Sequence, residues 1–243
     1  MSSATPTSPN PAYTYGGVNN AAFLTQSDSY VPDNWSTNTA MPSPARQRQA
    51  GLAVSSKCYQ FGGWNSSNVA QSQNDEMTPG SPSTWATRTA MTQARANAGT
   101  TYIGAKGYNF GGDNTTPTQT NTNFEYDPVG DSWATKAAYP TTSVDALVAF
   151  TFNSTAYAAL GFPSGAVLKS YVVDAWTSKV SPSTTVTSFA AGASIDASNV
   201  GWVTGGTVSS IASSDQHIEY VVDTWTNRAA IPTRIQNGAA SPA

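Results

Sequence analysis

Two markers recur along the whole 243-residue chain with one period. Glycine pairs or their relics stand at Gly16-Gly17, Gly62-Gly63, Gly111-Gly112, Leu160-Gly161 and Gly205-Gly206, with first members 46, 49, 49 and 45 residues apart. A tryptophan follows each one, at Trp35, Trp85, Trp133, Trp176 and Trp225, with separations of 50, 48, 43 and 49. A period this long, kept by two independent markers, means a repeat architecture of five units. Each unit is too small to bury its own faces and needs its neighbours.

The units share an internal grammar. A short alternating run ends in the glycines, as in AYTYGG, CYQFGG, YNFGG, AYAALGF and GWVTGG. Alternation over four to six residues rich in aromatic and β-branched side chains predicts a strand. The glycines predict a sharp turn or a close backbone approach. A polar loop of variable length comes next, then a second strand with a turn, as in SYVPDNW, EYDPVGDSW, SYVVDAW and EYVVDTW. The tryptophan opens a third strand. Arg46 and Arg95, with Ser143 and Ser188 as substitutes, precede a fourth strand of small residues. No segment carries a useful helical period. The chain therefore reads as all-β, and four short strands per unit predict a five-bladed β-propeller.

The ends suggest how the ring closes. The first unit lacks its small-residue strand, and the tail after Arg234 (IQNGAASPA) aligns with the segment after Arg95. The expectation is that this C-terminal strand pairs with the N-terminal blade, removing two open edges. Residues 1–11 are then an N-terminal arm and residues 12–243 a single domain, with blades of 234–243 plus 12–45, 46–94, 95–142, 143–186 and 187–233.

Composition removes several function classes. Charged residues are 10% of the chain and the net charge is −3, with no basic cluster beyond Arg46 and Arg48, so no nucleic-acid partner is expected. No window approaches a membrane span, and the N-terminus lacks a basic segment followed by an apolar one, so neither membrane insertion nor a classical signal peptide is expected. The single cysteine, Cys58, precedes an aromatic strand and is expected to be a buried, inert thiol. No phosphate loop, nucleophile elbow or His/Cys cluster occurs, so no cofactor and no metal are expected.

Double glycine, Tyr-Asp-Pro, Trp, Met-Pro and Arg together resemble the kelch repeat. The best copies are YNFGG…EYDPVGDSW at 108–133 and FGG…W…AMTQAR at 61–95. The resemblance implies a kelch-like propeller. It also brings in copper oxidases, whose ligand set requires more than the lone His217 of this chain, and a kelch-type sialic-acid mutarotase.

The recurring tryptophans read as wedges between blades. Trp64 is out of that register, directly after a glycine pair, and is a binding candidate; Trp202 reads as core. Arg46, Arg95 and Arg234 occupy similar places and either hold an anion at one mouth or tie loop carbonyls. Asp113 and Asn114 open the variable loop of the third unit. The turn acids Asp33, Asp127, Asp131, Asp174 and Asp223 recur and read as structural. Asp145 and Asp196 lie next to presumed inner strands, which makes no convincing glycosidase pair. His217 reads as an exposed strand or loop residue.

The variable loops 18–27, 64–76, 113–122 and 207–216 are rich in amides and hydroxyls. They suit contacts with glycan or with other structural proteins of an assembly. Ser, Thr and Asn make up about a third of the chain, a composition resembling bacteriophage structural proteins. The expected role is a non-enzymatic module on a virion or another extracellular surface, with a cytoplasmic kelch protein as the alternative location. The competing roles are a carbohydrate-active enzyme and a lectin.

Overall fold

The structure is a computed structural model. It describes the chain except for residues 1, 5–11, 16–17, 20–21, 32–33, 81, 116–117, 142–143, 185, 196–198, 209–211, 222 and 235–243. Gly16-Gly17, Asp33, Ser143, Asp196 and the expected closing strand lie outside the described residues.

Among the described residues there is no helix, and five antiparallel sheets have four strands each. The second unit shows the pattern: Ala50–Val54, Lys57–Phe61, Asn74–Thr78 and Thr84–Arg88 pair in chain order. Gly99–Ile103, Val148–Phe152 and Ala191–Ile195 are the matching first strands of the next three units, and successive first strands lie beside each other. The strand order predicted from the repeat is thus observed.

The first unit corrects the expected closure. Ser2–Ala4 pairs with Ala12–Tyr15, which also pairs with Ser27–Val31. Ser2–Ala4 lies beside Ala50–Val54, in the place expected for the C-terminal strand. The N-terminal segment is therefore part of the first sheet and not only an arm. A strand has two edges, and both edges of Ala12–Tyr15 are occupied.

The core is a series of slabs between sheets. Tyr59 and Phe61 of the second unit pack with Tyr126 and Trp133 of the third. Tyr108 and Phe110 pack with Tyr171 and Trp176 of the fourth, and Phe150 and Tyr157 with Tyr220 of the fifth. The opposite face of Lys57–Phe61 buries Cys58 against Met77, and burial pushes the thiol up to about 12.

The repeated tryptophans are wedges, as expected. Each indole donates to a carbonyl of the preceding unit: Trp85 to Thr39 (2.9 Å), Trp133 to Thr89, Trp176 to Ala137 and Trp225 to Val180 (2.8 Å each). The turn acids reinforce the same joint. Asp131 accepts from Tyr126 and from the Thr89 backbone, and Asp174 from Tyr171 and the Ala137 backbone. Trp35 departs from this pattern: it is 59% exposed, and Ala229, four residues after Trp225, is exposed as well. Trp202 is half-buried and donates to Glu219 (3.2 Å).

The glycine pairs are the points where units touch. Gly62 and Gly63 have φ of 60° and 98°, in the left-handed region. A Cβ on Gly62 would meet the Arg95 carbonyl at 2.1 Å, and Gly63 N–H donates to that same carbonyl at 2.9 Å. In the fourth unit the relic works because Leu160 itself adopts φ 59°.

Candidate functional site

Arg46 and Arg95 sit beneath the glycine pairs and are fully buried. Arg46 donates to Gly62 O (3.0 Å) and pairs with the buried Asp75. Arg95 donates to Gly111 O (3.0 Å), Thr122 O (3.2 Å), Asn109 Oδ1 (3.2 Å) and Gln93 Oε1 (3.1 Å). Phe124 occupies the ladder position of Asp75, and the Arg95 guanidinium lies 4.2 Å from its ring centroid. Burial lowers Arg95 to about 9, which leaves it cationic at neutral pH. Neither side chain reaches solvent, so of the two readings these two do not follow the anion-holding one. They tie carbonyls instead. Arg234 is exposed and 3.5 Å from Asp215. The arginine's place in the fourth unit is held by buried Val144, one residue after Ser143: Val144 O accepts from Gly112 N–H just as Arg95 O accepts from Gly63 N–H.

Two residues beyond Arg46, Arg95 and Val144, and directly after Ser188, the backbone turns left-handed, at Arg48 (φ 56°), Asn97 (φ 53°), Ala146 (φ 53°) and Phe189 (φ 55°). Such a conformation costs a non-glycine residue about 1–2 kcal/mol. It is held by a relay across the units: Asn97 N–H donates to Arg48 O (3.0 Å), Ala146 to Asn97 O (2.7 Å) and Phe189 to Ala146 O (3.3 Å). The relay forms an arc where the first strands begin. The residue after each glycine pair joins it through paired backbone bonds: Trp64 with Gln47, Asp113 with Ala96 and Phe162 with Asp145.

This arc gathers residues from four units. Asp113 of the third unit and Asp145 of the fourth are 6% and 8% exposed, and the two carboxyls are close enough to act on each other's ionisation. Asn97 Nδ2 donates to Asp113 Oδ2 at 2.8 Å. Burial raises both acids. The contact with Asp113 raises Asp145 further, to about 7, against the opposing charge of Arg48. Two buried carboxyls that act on each other resist ionising together. Arg48 is exposed and lies 5.4 Å from the Trp64 ring centroid and 6.0 Å from that of Phe189.

Several polar atoms here are buried without a partner among the described residues: Asp113 Oδ1, Asp145 Oδ1, Asn114 Oδ1 and Trp64 Nε1. Of the residues singled out in the sequence, Trp64, Asp113 and Asp145 come together, with Asn114 alongside; Arg46, Arg95 and Arg234 do not join them. Arg48, Asn97 and Phe189 were missed. The signal for them was the repeat itself, read one or two residues past each arginine place. His217 lies in a strand and its Nδ1 is 2.7 Å from Thr204 Oγ1.

No protein-family model matches the chain, and no curated protein matches it. Among solved structures 220 chains match. The structure of YjhT matches with a TM-score of 0.80 at 13% sequence identity, covering all of this chain and 86% of that one. At that identity the likeness is one of fold, and it supports a propeller-like all-β architecture.

Proposed function

We propose that the five sheets are the blades of one kelch-like propeller and that the arc is its ligand-binding mouth, taking a glycan. The observation that supports this most directly is the group of buried, unpartnered polar atoms around Trp64, Asp113 and Asp145. Unsatisfied buried polar groups are destabilising unless something completes them. A sugar combines an apolar face of C–H groups with an equator of hydroxyls. An indole, two carboxyls and an amide are complementary to both.

Binding without turnover is the reading we adopt. Glycoside hydrolysis needs carboxyls about 5–5.5 or 6.5–9.5 Å apart. Asp113 and Asp145 are 6% and 8% exposed, and neither stands as an open carboxylate on one side of a cleft. The charge-poor surface suits a module displayed on a virion or cell exterior, and copurification with particles is the test of that location. For the binding role the test is an array of neutral and acidic glycans probed with wild type and Trp64→Ala. Binding by wild type that is lost in the variant supports the proposal, and an array on which wild type binds nothing ends it.

A further inference from the structure

Four joints between successive units are made in the same way. In each one an indole, from Trp85, Trp133, Trp176 or Trp225, donates to a carbonyl of the preceding unit. The first strands of the two units lie side by side. In the last three joints the ring on the second strand of the preceding unit is sealed under the next sheet: Tyr59 is 2% exposed, Tyr108 7% and Tyr157 9%.

Between the fifth unit and the first, these marks are missing among the described residues. Trp202 holds the ladder position of Tyr59, Tyr108 and Tyr157 but is only half-buried and has no ring partner. Trp35 is 59% exposed, and its indole donates to no carbonyl of the fifth unit. Ala229, which matches Thr39, Thr89, Ala137 and Val180 in place, is exposed. Ala191–Ile195 does not lie along Ser2–Ala4 as the other first strands lie along each other. The first unit thus offers a wedge without a carbonyl, and the fifth a carbonyl without a wedge. The two halves of one joint face an opening and do not meet.

The likeness to YjhT gives a scale for that opening. The five units here match 86% of that chain, and the remainder is close to the share one unit takes.

We propose that this opening receives one four-stranded antiparallel unit of a partner chain, joined on both sides as the other units are joined. Its tryptophan donates to Ala229 O, and one of its carbonyls accepts from the Trp35 indole. A tryptophan seated in this way is the kind of anchor that dominates a protein interface. A second copy of this chain does not fit the role, because docking one of its end units brings four more units against the same opening. The inference rests on reading the sheets as propeller blades and is independent of the glycan site.

The test extends the full chain at its C-terminus with a copy of residues 46–94 and labels both the native and the extended protein with fluorotryptophan. Trp35→Phe assigns the Trp35 signal in fluorine NMR. A unit that cannot bury its own faces folds only where neighbours cover them, so protection of the appended copy from hydrogen exchange reports docking. The native chain is expected to be a monomer whose Trp35 signal shows a full solvent-isotope shift. In the extended chain that shift should disappear and the appended strands should become protected. Trp35→Ala should lower the docked-to-undocked ratio of the extended chain by about tenfold or more, as truncation of a central interface tryptophan does, and should leave the melting of the native chain unchanged. A Trp35 signal already shielded in the native monomer means that the ring closes on itself and overturns the inference. Shielding that appears only as the native chain dimerises makes a second copy the occupant and also overturns it. An appended copy that stays unprotected shows that the opening does not take a unit. Each of these failures leaves the outcome of the glycan array untouched.

Discussion

Arg46 and Arg48 are two residues apart, and their surroundings are opposite. The terminal nitrogens of Arg46 are committed to Gly62 O, Asp75 and the Met41 sulfur, with no exposure to water. Arg48 projects from a left-handed residue on the rim and has only ring faces beside it. The one residue type serves as a fastener where the backbone surrounds it and is left exposed where the backbone turns it outward. The same division separates Asp75, buried against its arginine, from Asp113 and Asp145, buried against each other. What distinguishes the two arginines is exposure: Arg46 is sealed from water among its partners, and Arg48 is not.

The largest effect that would sharpen this contrast is on the fastener side. Arg46→Met leaves Asp75 buried and unpaired, and chemical denaturation should show a loss of about 3–5 kcal/mol. Arg95→Met removes an arginine that faces Phe124 where Arg46 faces a carboxylate. It leaves only neutral acceptors unmet, for a loss of about 1–3 kcal/mol. Equal losses in the two variants would show that the Asp75 charge does not matter.

The intermediate effect concerns the acid pair. An unfolded aspartate titrates near 3.9, while folded Asp145 is raised to about 7. The folded state therefore holds the extra proton between those values. Its stabilising contribution is complete below about pH 4 and is lost as pH rises through about 7. Asp145→Asn removes this dependence, so it should melt several degrees above wild type at pH 8 and match it near pH 4. Parallel melting profiles for the two proteins across that range would show that the carboxyls are not coupled.

The smallest effect is on the rim. Arg48→Gln removes no hydrogen bond or ion pair among the described residues, and its stability should stay within about 0.5 kcal/mol of wild type. A much larger loss would make Arg48 a fastener after all and erase the distinction between the two regions.

The order of strands was legible because each unit repeats its own local signals. Alternation, glycine pair, turn aspartate and tryptophan are short-range features, and Trp133 or Asp131 does the same task in its unit as Trp176 or Asp174 in the next. The site was only partly legible. Trp64 is visible as a residue out of register with the fasteners and Asp113 as the opening of a variable loop, but the sequence sets Asp145 beside Asp196 and not beside Asp113. The two are brought together because Asp113 follows the glycine pair of one unit and Asp145 precedes the first strand of the next. Contacts of that kind cross between units, where no sequence period points.

The identity of the N-terminal partner strand shows the same boundary. Alignment with the segment after Arg95 made the C-terminal tail the natural closing strand, while Ser2–Ala4 fills that place. Small polar residues pair with a strand edge through backbone bonds alone, so several segments of this chain satisfy the pattern equally. By itself the sequence determined a repeating all-β chain with tryptophan joints between units, because period and strand alternation are properties of neighbouring residues. Only the tertiary structure decided which arginine is buried and which is exposed, and which buried acids act on each other. Those outcomes depend on the packing of one unit against the next, and on how much of each polar group that packing leaves unsatisfied.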